Sequence, residues 1–89
     1  MKTLEQILDN MSYTYEDCPT MEKLEEMIQE QMPDYIVNVF DMDGEYSAAG
    51  DTIAAIIRGK FVEDMQTEMW NADDQSVYYY VVAIKIKGE

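Results

Sequence analysis

A chain of 89 residues predicts one small domain, which excludes large catalytic scaffolds and multidomain machines. Nineteen Asp and Glu against six Lys and Arg, with no His, give a net charge of −13, while an apolar content of 47% excludes a disordered tail. A surface of that sign repels nucleic acid and anionic membrane and attracts basic protein.

Leu4, Ile7, Leu8 and Met11 recur at helical spacing, and Thr3 with Gln6 makes a capping box, so residues 3–11 are predicted to form a short helix. Residues 12–19 break the pattern and read as a connector. Pro19 and Thr20 open a second helix, with Met21, Leu24, Met27, Ile28, Gln31 and Met32 on one face and the acids on the other. Pro33 ends it. Residues 35–42 are rich in β-formers, although Ile36, Val39 and Phe40 also fit a helical face. Asp43-Gly44 is a hairpin signal, and Glu45-Tyr46-Ser47 would begin the return strand.

Gly50-Asp51 is predicted to open the longest helix, with Asp51 as N-cap and Ile53, Ile56, Ile57, Phe61, Met65 and Met69 as its buried stripe, ending near Trp70 and Asn71. Gly59 in its middle would weaken it by roughly 1 kcal/mol relative to Ala. Residues 76–87 are the clearest strand, with Tyr78, Tyr80, Val82, Ile84 and Ile86 on one face and Lys85 and Lys87 on the other. A strand needs partners, and 35–48 is the segment that offers them. The expected fold is α+β: a single acidic domain over residues 1–89, in the order α-α-β-β-α-β, with helices packed on one face of a three-stranded antiparallel sheet.

Cys18 is the single cysteine, so no intramolecular disulfide forms. The segment Met1-Lys2-Thr3-Leu4 lacks the apolar stretch of a signal peptide, and together these features predict a cytoplasmic protein. With no His to activate it, Cys18 is a structural thiol rather than a nucleophile. The eight Met read as core filler.

Val39-Phe40-Asp41-Met42-Asp43-Gly44 resembles the first motif of the haloacid-dehalogenase-type phosphatases, in which the first Asp attacks phosphorus. The motif's Thr is replaced by Glu45, and too few residues follow to build the rest of that site, so the stretch reads as an acidic turn and no catalytic residue is expected. A calcium loop with Gly44 at its sixth position would place Val39 at the first and Gly50 at the twelfth. Neither is a carboxylate, which excludes an EF-hand. No metal or other cofactor is expected.

The carboxylates themselves carry the remaining signal. Glu22, Glu26 and Glu30 recur every four residues on the second helix with Glu25 beside them, a rise of about 6 Å that is close to the phosphate spacing of a nucleic-acid strand. Asp34, Asp41, Asp43 and Glu45 could extend the row. Glu63, Asp64, Glu68, Asp73 and Asp74 form a second cluster. Like charges at that spacing destabilise a helix, and a sequence selected only to fold would interleave lysines.

The first 70 residues resemble the small acidic antirestriction proteins of bacteriophages, the Ocr type that mimics DNA. The resembling stretches are Ile7-Leu8-Asp9-Asn10, Tyr13–Asp17, the acidic helix at 20–32, Pro33-Asp34-Tyr35, Val39-Phe40, Asp51-Thr52 and an Ile-rich helix ending at Trp70. More broadly the chain is similar to small phage inhibitors, including anti-CRISPR proteins. The resemblance implies an inhibitor that occupies the DNA-binding groove of a host defence nuclease, often as a homodimer, with the acids of 20–45 and 63–74 as contacts. Because Ocr-type chains are essentially all-helical, it also implies an alternative fold: mostly α, with the last strand pairing across a dimer.

Two functional expectations follow. The first is a phage-encoded inhibitor of a CRISPR-Cas or restriction nuclease in the host cytoplasm, binding a basic nucleic-acid cleft through carboxylates and an apolar anchor such as Trp70 or exposed tyrosines. The second is a small acidic adaptor that pairs through its Tyr78–Ile86 strand, with incidental charge.

Overall fold

A computed structural model describes residues 2–14, 16–41, 46–74 and 77–88, with backbone alone at 46–48. Its elements are α1 (Leu4–Asp9), α2 (Met21–Gln31), β1 (Ile36–Asp41), α3 (Tyr46–Ile57), β2 (Val62–Asn71) and β3 (Tyr78–Ile86). The class is the expected one, α+β with a three-stranded antiparallel sheet, but the order is α-α-β-α-β-β. The alternative of a mostly helical chain whose last strand pairs across a dimer is excluded, because β3 finds both of its partners within the chain.

Local chemistry sets the first two helices. At α1 the Thr3 hydroxyl accepts from the Gln6 N–H at 3.2 Å, and the Gln6 side chain accepts from the Thr3 N–H at 2.9 Å, the reciprocal box read from the sequence. At α2 the Thr20 hydroxyl accepts from the Lys23 N–H at 3.1 Å. Leu4, Ile7, Leu24, Ile28 and Met32 are buried from these helices against one face of the sheet, where Val37, Val39, Trp70, Val81 and Ala83 meet them.

The middle of the chain departs from expectation. Tyr46 and Ser47 belong to α3, not to a return strand, and Asp51 lies within that helix rather than capping it. Asp43-Gly44, the expected turn, lies outside the described residues. The long helix expected from Gly50 to Trp70 is two elements. Gly59 adopts φ 70°, a left-handed conformation that few side chains tolerate, and the Lys60 N–H closes back on the Ile57 carbonyl at 3.0 Å. The chain then extends as β2, so Met65 and Met69 are strand residues, 47% and 53% exposed, instead of a buried helical stripe.

The sheet runs β1-β3-β2, with Val82 facing Asn38 on one side and Thr67 on the other. A bulge lies between Val62 and Asp64. Helices cover both faces of the sheet rather than one. The α1/α2 layer lies on the face of Val81 and Ala83, whereas α3 sets Ile53, Ile56 and Ile57 against Phe40, Tyr80, Val82, Ile84 and Ile86 on the opposite face. Because β3 is the central strand, it has no free edge through which the adaptor reading could add a partner. Among the described residues no helix is long and apolar enough to cross a membrane.

Candidate functional site

Burial of Leu24, Ile28 and Met32 fixes the rotation of α2 and leaves Glu22, Glu26 and Glu30 on its solvent side. These three, with Glu25, Gln29, Pro33 and Val37, line a groove of about 640 Å³ between α2 and the outer edge of β1. The wall of this groove is built by two side chains one helical turn apart. Gln29 acts as a surrogate strand: its Oε1 accepts from the Val37 N–H at 3.1 Å while its Nε2 donates to the Tyr35 carbonyl. The Glu25 carboxylate accepts from the Val39 N–H. The edge of β1 is thereby closed to further strands. Burial is the main force pushing the Glu25 carboxyl above its ordinary 4.5, and Glu22 adds to it, while the Val39 bond opposes both.

The acids of the second cluster lie on β2, not on a helix. By strand alternation Asp64 and Glu68 share the α1/α2 face with Gln66 and Trp70, and Glu63 occupies the bulge. Tyr35 reaches across β3 to donate its hydroxyl to Asp64 at 2.5 Å, and Gln66 donates to the same carboxylate at 2.9 Å. Those two donors, Tyr35 foremost, hold Asp64 below its ordinary 3.8, and the same bond pushes Tyr35 above 10.0. Glu63 pairs with Lys85 at 2.9 Å and raises the lysine, with Asp34 contributing at longer range. Asp34, Glu63 and Asp64 thus all lie toward the Lys85 end of the sheet.

The sign of the Asp64 shift fixes a pH dependence. A carboxylate depressed in the folded state contributes stability above pH 3.8, and this contribution disappears as pH falls through the lower folded value. In a Tyr35→Phe variant, a carbon-13 carboxyl titration by NMR should place Asp64 closer to 3.8 than in the parent. An unchanged Asp64 titration would contradict the assignment.

At the other end of the sheet Asp73 accepts from the Ser12 hydroxyl, and its N–H donates to the Tyr13 carbonyl at 2.8 Å. Asp41 closes β1 opposite Tyr79. Asp74 raises the half-buried Cys18 thiol, whose main cause of elevation is burial, and Asp41 adds to the burial that raises Tyr79. Asp43 and Glu45 lie outside the described residues. The sheet is wholly antiparallel, so Asp41 does not end a strand of the parallel sheet that the phosphatase motif requires. Among the described residues no three acidic, Cys or His side chains converge to hold a metal ion.

The charge is unevenly distributed. In its described span α3 carries a single acid, Asp51, whereas α2 alone presents Glu22, Glu25, Glu26 and Glu30. Trp70 is only 4% exposed and is therefore part of the core, not an anchor for a partner. Sequence reasoning missed Gln29, Tyr35 and the open face of β2. The alternation of Met65, Thr67 and Met69 with Gln66 and Glu68 was the available signal for the last of these. Compared with family models, curated proteins and solved structures, the chain matches none.

Proposed function

We propose that the chain is a phage-encoded inhibitor that occupies the basic nucleic-acid cleft of a CRISPR-Cas or restriction nuclease in the host cytoplasm. The observation that carries this reading is the row Glu22, Glu26 and Glu30 on the solvent side of α2, in a chain of net charge −13 whose opposite layer has one described acid. Successive carboxylates rise by about 6 Å, so the lysines and arginines of a cleft shaped for a phosphate backbone can meet them in register. The inhibitor needs no chemistry of its own. Carboxylate pairs with Arg and Lys give a fast, charge-steered encounter, and cleavage stops because the nucleic acid is displaced.

Plasmid cleavage by a panel of CRISPR effectors and restriction endonucleases tests this. Inhibition of at least one enzyme is expected, relieved by added salt and by excess duplex DNA. Replacing Glu22, Glu25, Glu26 and Glu30 together by Gln should weaken that inhibition about tenfold or more, because each lost charge-assisted contact contributes on the order of 1 kcal/mol. Inhibition that is indifferent to both salt and the four substitutions would refute the proposal.

A further inference from the structure

The two edges of the sheet are treated differently. The outer edge of β1 is closed by Gln29 and Glu25, but among the described residues β2 has no such cover. Because Val37 and Val39 direct their N–H groups outward, antiparallel alternation turns residues 80, 82 and 84 of β3 toward β1 and residues 81, 83 and 85 toward β2. On β2 it therefore turns Gln66 and Glu68 inward and Thr67 and Met69 outward. Among the described residues no partner meets the outward N–H and C=O groups of Thr67 and Met69. The bulge and Glu63 guard only the start of the strand. An open edge flanked by Met residues 47% and 53% exposed is a template for strand addition.

We propose that β2 accepts an extended segment of a partner protein in which cationic and apolar residues alternate. The two faces of β2 specify that pattern. Asp64 and Glu68 stand on one face and Met65 and Met69 on the other, so an added strand places Lys or Arg against the acids and apolar side chains against the methionines. A second copy fits less well. Antiparallel pairing about Thr67 would set Met65 against Met69, but it would press together two bodies each of net charge −13. The inference rests on the reading of the chain as a binder of basic protein and adds the mode of contact.

Two capped peptides of equal composition provide the probe, one alternating Lys and Val over seven residues, the other with its four Lys and three Val in separate blocks. The alternating peptide is expected to bind at least tenfold more tightly in low salt and to slow amide exchange at Thr67 and Met69. Thr67→Pro removes an outward N–H that the sheet does not use and should erase the tenfold preference. Met69→Lys, a change at an exposed side chain, should do the same and serves if the proline variant fails to fold. Equal affinity of the two peptides, or protection confined to α2, overturns strand addition and leaves the basic-partner reading standing. No binding of either peptide at low salt overturns both. A salt-stabilised homodimer by sedimentation, protected at Thr67 and Met69, overturns the choice of occupant.

Discussion

Trp70→Ala should unfold most of the protein. The indole is buried on the α1/α2 face, stacked on Tyr79 with ring centroids 5.9 Å apart and tilted against Tyr13 at 6.3 Å. Its Nε1–H donates to the Met11 carbonyl at 3.1 Å, which fastens the connector after α1 to the sheet. Truncation removes the largest side chain of that core, leaves a cavity and orphans a carbonyl, a combined loss of about 3–5 kcal/mol. A small domain has a total stability of that same order, made smaller here by self-repulsion. Urea unfolding followed by far-ultraviolet circular dichroism should show the variant largely unfolded without denaturant. Trp70→Phe, which keeps a ring but loses the donor, should fall between the two. An alanine variant within about 1 kcal/mol of the parent would mean that the indole is not the keystone of this layer.

Gln29→Ala should be the most damaging change at a half-exposed position. One amide serves the Val37 N–H, the Tyr35 carbonyl and, at 3.1 Å, the Met32 carbonyl at the end of α2. Its removal leaves these backbone groups to imperfect solvation, at about 1–3 kcal/mol, measurable as a lower urea midpoint. It also uncovers the second edge of the sheet. Sedimentation should then reveal self-association of the variant in high salt, where charge repulsion is screened, and little in low salt. Gln29→Glu can still accept from Val37 but cannot donate to Tyr35, so it should recover only part of the loss. A monomeric Gln29→Ala protein with unchanged stability would show that the edge is protected by other means.

The elements whose signals are local were legible in the sequence. Thr3 with Gln6 and Thr20 before an amphipathic run specify helix starts through bonds spanning three residues, and the apolar run from Val81 to Ile84 specifies a buried strand. The region from 46 to 71 was not legible, because two periods coincide there. Ile53, Ile56, Ile57, Phe61, Met65 and Met69 fit a helical stripe, yet Met65, Thr67 and Met69 equally fit a strand. Gly59 decides between them through its φ of 70°, a conformation that a glycine permits but does not require, so its presence alone does not announce the break. Three strands were correctly expected, but the third was sought in a hairpin at Asp43-Gly44 when it lies after Gly59. The carboxylate row of α2 could be read because helical spacing alone places it. The Tyr35–Asp64 bond and the Gln29 bridge could not, since each depends on a side chain reaching a neighbour on another element.

The strand order has one more consequence. The last strand in the sequence is the middle one in space, lying between two segments made earlier. While a ribosome is still adding residues up to Asn71, β1 and β2 have nothing to pair with, and no part of either ladder can form. Assembly therefore waits for Tyr78–Ile86: β2 and β3 can close as a hairpin across the short connection from Asn71 to Tyr78, whereas β1 must be brought to β3 from much farther along the chain. Until that moment the nascent chain depends on its negative charge, more than on any structure, to stay apart from its neighbours.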